Sequence, residues 1–321
     1  MCYNKSMSSQ SVLLRPASLG LVLLLLPLLA GCGSKTVNAI KVDGTLKEAY
    51  QRAQVDTNDK EARRYVDSAI AIAPTDPATY FGDAAGSVPQ MGVADVFRLV
   101  GDDPALIDYM KQAVQKFPDD YRGYQILEGA QGRQGRMVDQ KATATRLVAV
   151  LAKSIKKPGA TNIEALTLLQ AQAYFDSGDP ATGASLYQKA IQAYPASSDA
   201  FNGLAYAYAV ANTRLPEALA LAQKALALVQ KSKSDTKDES VAAVQDTLAW
   251  VQYRQADYKD AEQNLLDALS ADPRLPEIRF HLGSVYAAQD KTDAARAEFG
   301  HAVLLCPGYA QAQAALDKLP K

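Results

Sequence analysis

Five prolines in this chain each follow a helix-like run at a fixed distance from an alanine. The alanine lies five residues before the proline every time, as in AIAIAP and AVLLCP, and the last two prolines are 34 residues apart. The third and fourth are 78 apart, two such periods plus the ten-residue insertion KSKSDTKDES at 231–240. Because proline cannot continue a helix, this spacing predicts helical hairpins that recur and stack. The pairs are Ala69/Pro74, Ala113/Pro118, Ala190/Pro195, Ala268/Pro273 and Ala302/Pro307.

The residues between these prolines resemble the tetratricopeptide repeat (TPR), whose 34 residues place small and bulky side chains at fixed positions. FNGLAYAY supplies Leu204, Ala205 and Tyr208, and RFHLGSVY supplies the corresponding Leu-Gly and Tyr. The match covers four repeats within 161–307, and 44–160 is interpreted as divergent repeats. The resemblance implies an all-α fold, a TPR-type α-solenoid in which antiparallel helix pairs form a right-handed superhelix, with residues 308–321 as a capping helix.

The N-terminus indicates where the protein resides. An apolar run from Leu21 to Ala30 is shorter than the roughly 20 residues that span a bilayer, but it fits the core of a signal peptide over residues 1–31. LAGC, ending at Cys32, resembles the lipobox of bacterial lipoproteins, which implies a diacylglycerol on the Cys32 thiol. Residues 32–43 are then expected to be the lipidated cysteine and a flexible tether. Because Gly33 rather than aspartate follows, the resemblance favours the outer membrane, facing the periplasm.

Composition excludes several classes of function. The formal net charge is -1, so no global basic field favours nucleic acid. The two histidines, His281 and His301, lie near Cys306 but lack the further ligands that a zinc site needs. No phosphate-binding loop, nucleophile elbow or zinc-protease helix is found. We therefore expect no metal, no cofactor and no catalysis.

The first helix of each repeat is expected to line a concave groove. Aromatic side chains and arginine dominate protein recognition, so their presence at groove positions predicts a binding surface. The chaperone-type clamp for a peptide carboxylate is not implied, because Glu277 and His281 occupy its positions. The groove candidates are Phe175, Asn202, Tyr206, Trp250, Tyr253, Arg254 and Phe280. The alternative for each is simple packing between neighbouring helices.

These features together predict a membrane-anchored adaptor that binds a protein partner of the cell envelope. The C-terminal run from Asp246 to Phe299 resembles TPR lipoproteins of exosortase-linked polysaccharide systems, and similar lipoproteins assist pilus assembly and secretion. Two alternatives stay open: a glycan- or lipid-binding lipoprotein that uses the aromatic groove, and an enzyme with an unrecognised site. The partner and the oligomeric state are left undefined.

Overall fold

The computed structural model describes residues 34–55, 60–83, 90–231, 237–273 and 275–320, and these residues form sixteen helices. The predicted signal segment and Cys32 lie outside the described residues, as do residues 232–236 of the polar insertion at 231–240. The chain divides into two compact units, an N-terminal unit that ends at Ala113 and a C-terminal unit from Val114 to Lys321. No helix of the described residues combines the length and the apolar character needed to cross a membrane.

The N-terminal unit contains five helices, the last of which continues three residues beyond its boundary. The long α1 packs against both α2 and α4, and the short α3 also contacts α4. Val42, Leu46 and Val66 are fully buried in this packing. The helices are α1 Ser34–Val55, α2 Lys60–Ile72, α3 Pro77–Phe81, α4 Val93–Val100 and α5 Asp103–Lys116.

The flexible tether expected up to residue 43 is not what the structure contains. The first helix already begins at Ser34, so the segment is helical through the predicted boundary. The physical reason is packing: Val42 is completely buried, and the side chains of Leu46 and Ala49, four and seven residues later, are buried on the same face. The helix therefore extends into the folded unit instead of ending before it.

Polar side chains join the elements of the N-terminal unit. Arg63 on α2 forms an ion pair with Asp102 in the turn before α5, and the Tyr109 hydroxyl donates to Asp67 at 2.9 Å. Asp43 on α1 accepts a hydrogen bond from the backbone N–H of Met91. These contacts connect residues 39 to 48 positions apart in the sequence.

The C-terminal unit is a series of antiparallel hairpins followed by a final helix. Each helix contacts the next one along the chain, from α6 through to α16. The first helices of the five hairpins are α6 Tyr121–Arg133, α8 Ile163–Ser177, α10 Ser198–Val210, α12 Lys237–Arg254 and α14 Pro276–Ala288. The second helices are α7 Met137–Lys156, α9 Pro180–Ala193, α11 Leu215–Gln230, α13 Tyr258–Ala271 and α15 Thr292–Leu305, and α16 is Ala310–Lys318. The predicted all-α solenoid is confirmed.

The prolines stand where the spacing predicted them. Each is the second residue after the end of a helix, as Pro195 is after α9 and Pro307 after α15. The alanine five residues earlier is at most 2% exposed in all five cases. The alanine thus lies at a helix contact too close for a larger side chain, and the proline ends the helix beyond it.

Glycines allow the closest helix contacts in the C-terminal unit. A Cβ added to Gly183 would lie 2.6 Å from the ring of Phe175, and one added to Gly283 would lie 2.6 Å from the ring of Phe299. Phe299 is 1% exposed, so its ring fills the space that the glycine leaves. In both hairpins a glycine on one helix leaves space for a large ring on the other, so the two helices pack closely.

The first helices form the inner layer of the C-terminal unit. Besides contacting its own hairpin partner, α8 contacts α10, α10 contacts α12, and α12 contacts α14. Among the described residues, the second helices make no comparable contacts with one another. The hairpins therefore crowd together on the side of their first helices, which is the concave side. We call the partly exposed surface of α8, α10, α12 and α14 the inner face.

The two ends of the C-terminal unit meet. The side-chain amide of Gln134, in the turn between α6 and α7, donates a hydrogen bond to the carbonyl oxygen of Gly308 at 3.1 Å. A Cβ added to the neighbouring Gly135 would lie 3.0 Å from the Cβ of Ala310. The first hairpin of the unit thus touches the turn that precedes its last helix.

Candidate functional site

Trp250, the only tryptophan of the chain, lies at the centre of an aromatic cluster on the inner face. Its ring stacks on Tyr253 of the same helix, with centroids 4.8 Å apart and planes 15° apart. It also stacks on His281 of α14, with a centroid distance of 4.2 Å. Trp250 and Tyr253 are both partly exposed. The cluster thus joins two successive first helices and still offers aromatic surface to a ligand.

His281, whose ring stacks on Trp250, is the buried member of this cluster. It is 5% exposed, and its Nδ1 lies 2.7 Å from a carboxylate oxygen of Asp246 on α12. The interpretation of this histidine as an inter-helix residue agrees with that geometry. In the described residues, no group of three or more histidine, cysteine, aspartate or glutamate side chains could hold a metal ion.

Phe175 and Phe280 occupy a different place from Trp250. The ring of Phe175 lies against Gly183 of its own hairpin and 6.2 Å from the ring of Tyr187. Phe280 lies 5.8 Å from Phe299 of α15 and 5.5 Å from Tyr309. Both rings fill spaces between helices, as the packing alternative predicted, and both are partly exposed, as Trp250 is.

Two candidate side chains hold buried polar atoms without a partner among the described residues. On α10 this atom is the Oδ1 of Asn202, a hydrogen-bond acceptor. At the end of α12 it is the Nε of Arg254, a donor. A buried polar atom without a partner costs about 1–3 kcal/mol, so such atoms are uncommon unless something outside the chain satisfies them. An acceptor and a donor on neighbouring first helices suit a ligand that offers both.

Tyr206 lies one helical turn after Asn202 and is influenced by carboxylates on three other first helices. Burial raises the pKa of its hydroxyl, and Asp246, Glu277 and Asp176 raise that pKa further by their negative charge. These acids belong to α12, α14 and α8 respectively. The phenol of Tyr206 is therefore within electrostatic reach of carboxylates on both sides of α10.

A second acidic pair lies at the start of the unit. Burial raises the pKa of Glu128 to about 7, and the charge of Asp176 contributes in the same direction, while the Gln140 amide and Arg133 oppose the rise. Burial likewise raises the pKa of Asp176, although it accepts hydrogen bonds of 3.0 and 3.2 Å from the Gln172 amide. Both carboxylates thus have neutral amides as hydrogen-bond donors.

The acids of the inner face were missed in the choice of groove candidates, which selected aromatic residues, an asparagine and an arginine. A signal for them was present in the sequence. Asp246 precedes Trp250 by four residues, and Gln172 precedes Asp176 by the same interval, so each pair lies on one side of a first helix. Searching the first helices for residues four positions from a groove candidate would have found Asp246.

Comparison with known families assigns the repeats of this unit. Residues 196–274 and 247–315 match two family models that are both described as tetratricopeptide repeat. Together these segments include α10 to α15, which contain most of the inner face. The TPR character expected for this part of the chain is confirmed. A comparison with curated proteins found no match.

Several solved structures are similar to this chain at low sequence identity. Yeast Tom70 is 14% identical and aligns with a TM-score of 0.51 over 92% of this chain and 58% of its own. A Cut9–Hcn1 hetero-tetramer of the APC/C contains a chain that is 12% identical, with a TM-score of 0.46 over 88% and 54%. The chain thus spans somewhat more than half the length of these two. BtubC from P. vanneervenii is 15% identical, with a TM-score of 0.39 over 72% and 95%.

Proposed function

We propose that this protein is a lipid-anchored adaptor of the bacterial cell envelope whose inner face holds a segment of a partner protein. Tandem repeats of this type form extended concave surfaces, and such surfaces bind polypeptides. The observation that supports the proposal most is that the inner face carries the partly exposed Trp250–Tyr253 stack on α12 together with two atoms that lack a partner among the described residues, Asn202 Oδ1 on α10 and Arg254 Nε on α12.

A polypeptide segment suits these groups better than a purely apolar ligand. A peptide backbone offers an N–H that can donate to the Asn202 oxygen and a carbonyl that can accept from the Arg254 nitrogen. Aromatic rings such as Trp250 supply large contact areas at the centre of interfaces. The function is binding, without a chemical step.

Membrane attachment follows from the lipobox resemblance at Cys32. Acyl chains contribute about 0.8 kcal/mol per buried methylene, and several chains on one residue give stable anchoring. The outer membrane is the proposed location, and envelope assembly or export, such as that of pili, secreted proteins or exopolysaccharide, is the proposed process. The protein would hold its partner close to the membrane surface.

The groove assignment is tested by photo-crosslinking in intact bacteria. A photoreactive phenylalanine analogue replaces Tyr253 in one variant and Leu304 in another; Leu304 lies on the second helix α15 and is 76% exposed. We expect a discrete crosslinked polypeptide from position 253 and none from position 304. Equal crosslinking from both positions, or crosslinking from 304 alone, would contradict the assignment.

The anchor is tested separately with Cys32→Ser. Wild-type protein should incorporate radiolabelled palmitate and sediment with the outer membrane, and the variant should lose the label. Palmitate incorporation by the variant would show that Cys32 is not the acylated residue. Wild-type protein that remains unlabelled and unattached to membrane would end the lipoprotein proposal.

A further inference from the structure

We propose that the segment held by the inner face is cationic: an extended stretch of polypeptide whose lysine or arginine side chains lie among Asp176, Asp246 and Glu277. This inference rests on the proposed function and specifies the chemistry of the partner. This inference depends on the charge of the inner face, whereas the adaptor function depends only on the aromatic side chains and on the atoms that can bind a peptide backbone.

The first step is the placement of the acids. Asp176, Asp246 and Glu277 lie on three different first helices, and each acts electrostatically on the same hydroxyl, that of Tyr206 on the helix between them. Three carboxylates within electrostatic range of one point, on helices that form the inner face, give this part of the C-terminal unit a negative potential. Such a field attracts a cation and repels an anionic segment.

The second step is how these acids are bonded within the chain. Asp176 accepts hydrogen bonds from the neutral amide of Gln172, and Asp246 lies against the buried ring of His281. Burial raises the pKa of Asp176, because its carboxylate is partly removed from water, and this effect outweighs the hydrogen bonds from Gln172.

The third step is independent of charge. The Oδ1 of Asn202 lies one helical turn before Tyr206 and needs a donor. Lysine and arginine side chains, like a backbone N–H, are donors only. On the next first helix, α12, the partly exposed Trp250 and Tyr253 add aromatic surface to the inner face. An acceptor, aromatic rings and carboxylates together favour a donor-rich, positively charged segment.

The last step concerns the form of the segment. The Nε of Arg254 needs an acceptor, which a peptide carbonyl provides and a simple polyamine does not. The contact between Gln134 and Gly308 also brings the first and last hairpins of the unit together. A narrow extended chain can lie along such a bounded inner face, whereas a folded domain needs an open one.

The test uses the full-length protein in detergent and two fluorescent twelve-residue peptides of glycine and serine, one with four arginines and one with four glutamates. Binding is followed by peptide anisotropy and by the emission of Trp250. We expect the arginine peptide to bind at least about tenfold more tightly than the glutamate peptide. Raising the salt from 0.05 to 0.5 M should weaken its binding, because exposed charges are screened.

Matched variants locate the effect. Asp176→Asn, Asp246→Asn and Glu277→Gln should each weaken binding of the arginine peptide by roughly three- to tenfold. Asp267→Asn, an exposed acid on the second helix α13, should change it less than about twofold. Circular dichroism on every variant identifies any that are unfolded, and since Asp246 also contacts His281, Asp176→Asn gives the cleaner comparison.

The proposal is overturned by equal affinity for the two peptides, by no arginine-peptide binding at millimolar concentration, or by inner-face variants that match Asp267→Asn. These results are separable from a failure of the adaptor function. If the crosslink from position 253 persists in Asp176→Asn and in high salt, the partner binds the inner face but is not selected by charge. If the crosslink never forms, the adaptor function itself fails.

Discussion

Both units are built from helices and contain both apolar packing and polar contacts, but different contacts are characteristic of each. In the C-terminal unit, glycine or alanine on one helix receives a large ring or leucine from another, as Gly283 receives Phe299. In the N-terminal unit, side-chain hydrogen bonds and ion pairs connect distant elements, as Arg63 connects to Asp102 and Tyr109 to Asp67. The buried alanines of the C-terminal unit recur in the register of the repeats, whereas pairs of polar residues 39 to 42 positions apart do not.

Phe299→Ala should cause the largest loss of stability, and it tests the packing of the C-terminal unit. Removing a ring that is 1% exposed leaves a cavity beside Gly283, which should lower the free energy of unfolding by about 3–5 kcal/mol. Chemical denaturation followed by Trp250 fluorescence measures it, because the only tryptophan lies in the C-terminal unit. A loss below about 1 kcal/mol would show that the ring is not a main support of the hairpin.

Glu128, a partly buried acid of the C-terminal unit, should make the stability of the protein depend on pH, and this effect should be of intermediate size. Because the folded-state pKa of Glu128 is raised to about 7, the folded protein binds more protons than the unfolded chain between about pH 4.5 and pH 7. Stability should therefore fall as pH rises through this window, by on the order of 2 kcal/mol, and Glu128→Gln should remove that fall. Denaturation at pH 5 and pH 7.5 measures it; equal pH dependence in wild type and variant would contradict the assignment.

Gly283→Ala tests the close approach of α14 to the Phe299 ring of α15. The added methyl would lie 2.6 Å from the Phe299 ring, so the ring must move, and we expect a loss of about 1–2 kcal/mol. Gly300→Ala is the matched control, because a Cβ there meets no atom within 4 Å, and it should gain about 0.5–1 kcal/mol from better helix propensity. Thermal unfolding compares the two, and a shift in the same direction for both would contradict the packing account.

The smallest expected effect belongs to the N-terminal unit. Tyr109→Phe removes the hydroxyl that donates to Asp67 at 2.9 Å and keeps the ring that stacks on Phe97. We expect a loss of about 0.5–1.5 kcal/mol. Far-UV circular dichroism should record it, while the denaturation midpoint reported by Trp250 stays unchanged. Movement of the Trp250 midpoint by the same amount would show that the two units unfold as one.

The sequence was sufficient for the solenoid because its packing residues recur at one interval. The pattern located the helix ends correctly, since a helix ends two residues before each of Pro195, Pro273 and Pro307. It also identified Ala190 as a residue buried between helices. The helical conformation of 34–43 was not predicted, since SKTVN has little hydrophobic periodicity and the helix there depends on Val42 and Leu46 being buried by other elements. Local sequence does not specify such tertiary contacts.

The candidate site was only partly predictable for a related reason. Repeat register places Phe175 and Tyr253 at equivalent positions, yet Phe175 lies against a glycine of its own hairpin and Tyr253 stacks on Trp250. Which contact the ring makes depends on the residue that faces it, which for Phe175 is Gly183. Comparing the first helices position by position does not take that facing residue into account. The acids around Tyr206 come from three separate helices and become one field only after folding.

Hydrogen–deuterium exchange tests the central claim most directly, namely that the inner face of the C-terminal unit holds a polypeptide. The measurement compares the full-length protein alone with its complex with the polypeptide crosslinked through position 253. The account predicts slower exchange in α10, α12 and α14 and unchanged exchange in α1 to α5. Slower exchange confined to the second helices α11, α13 and α15, or to the N-terminal unit, would contradict it.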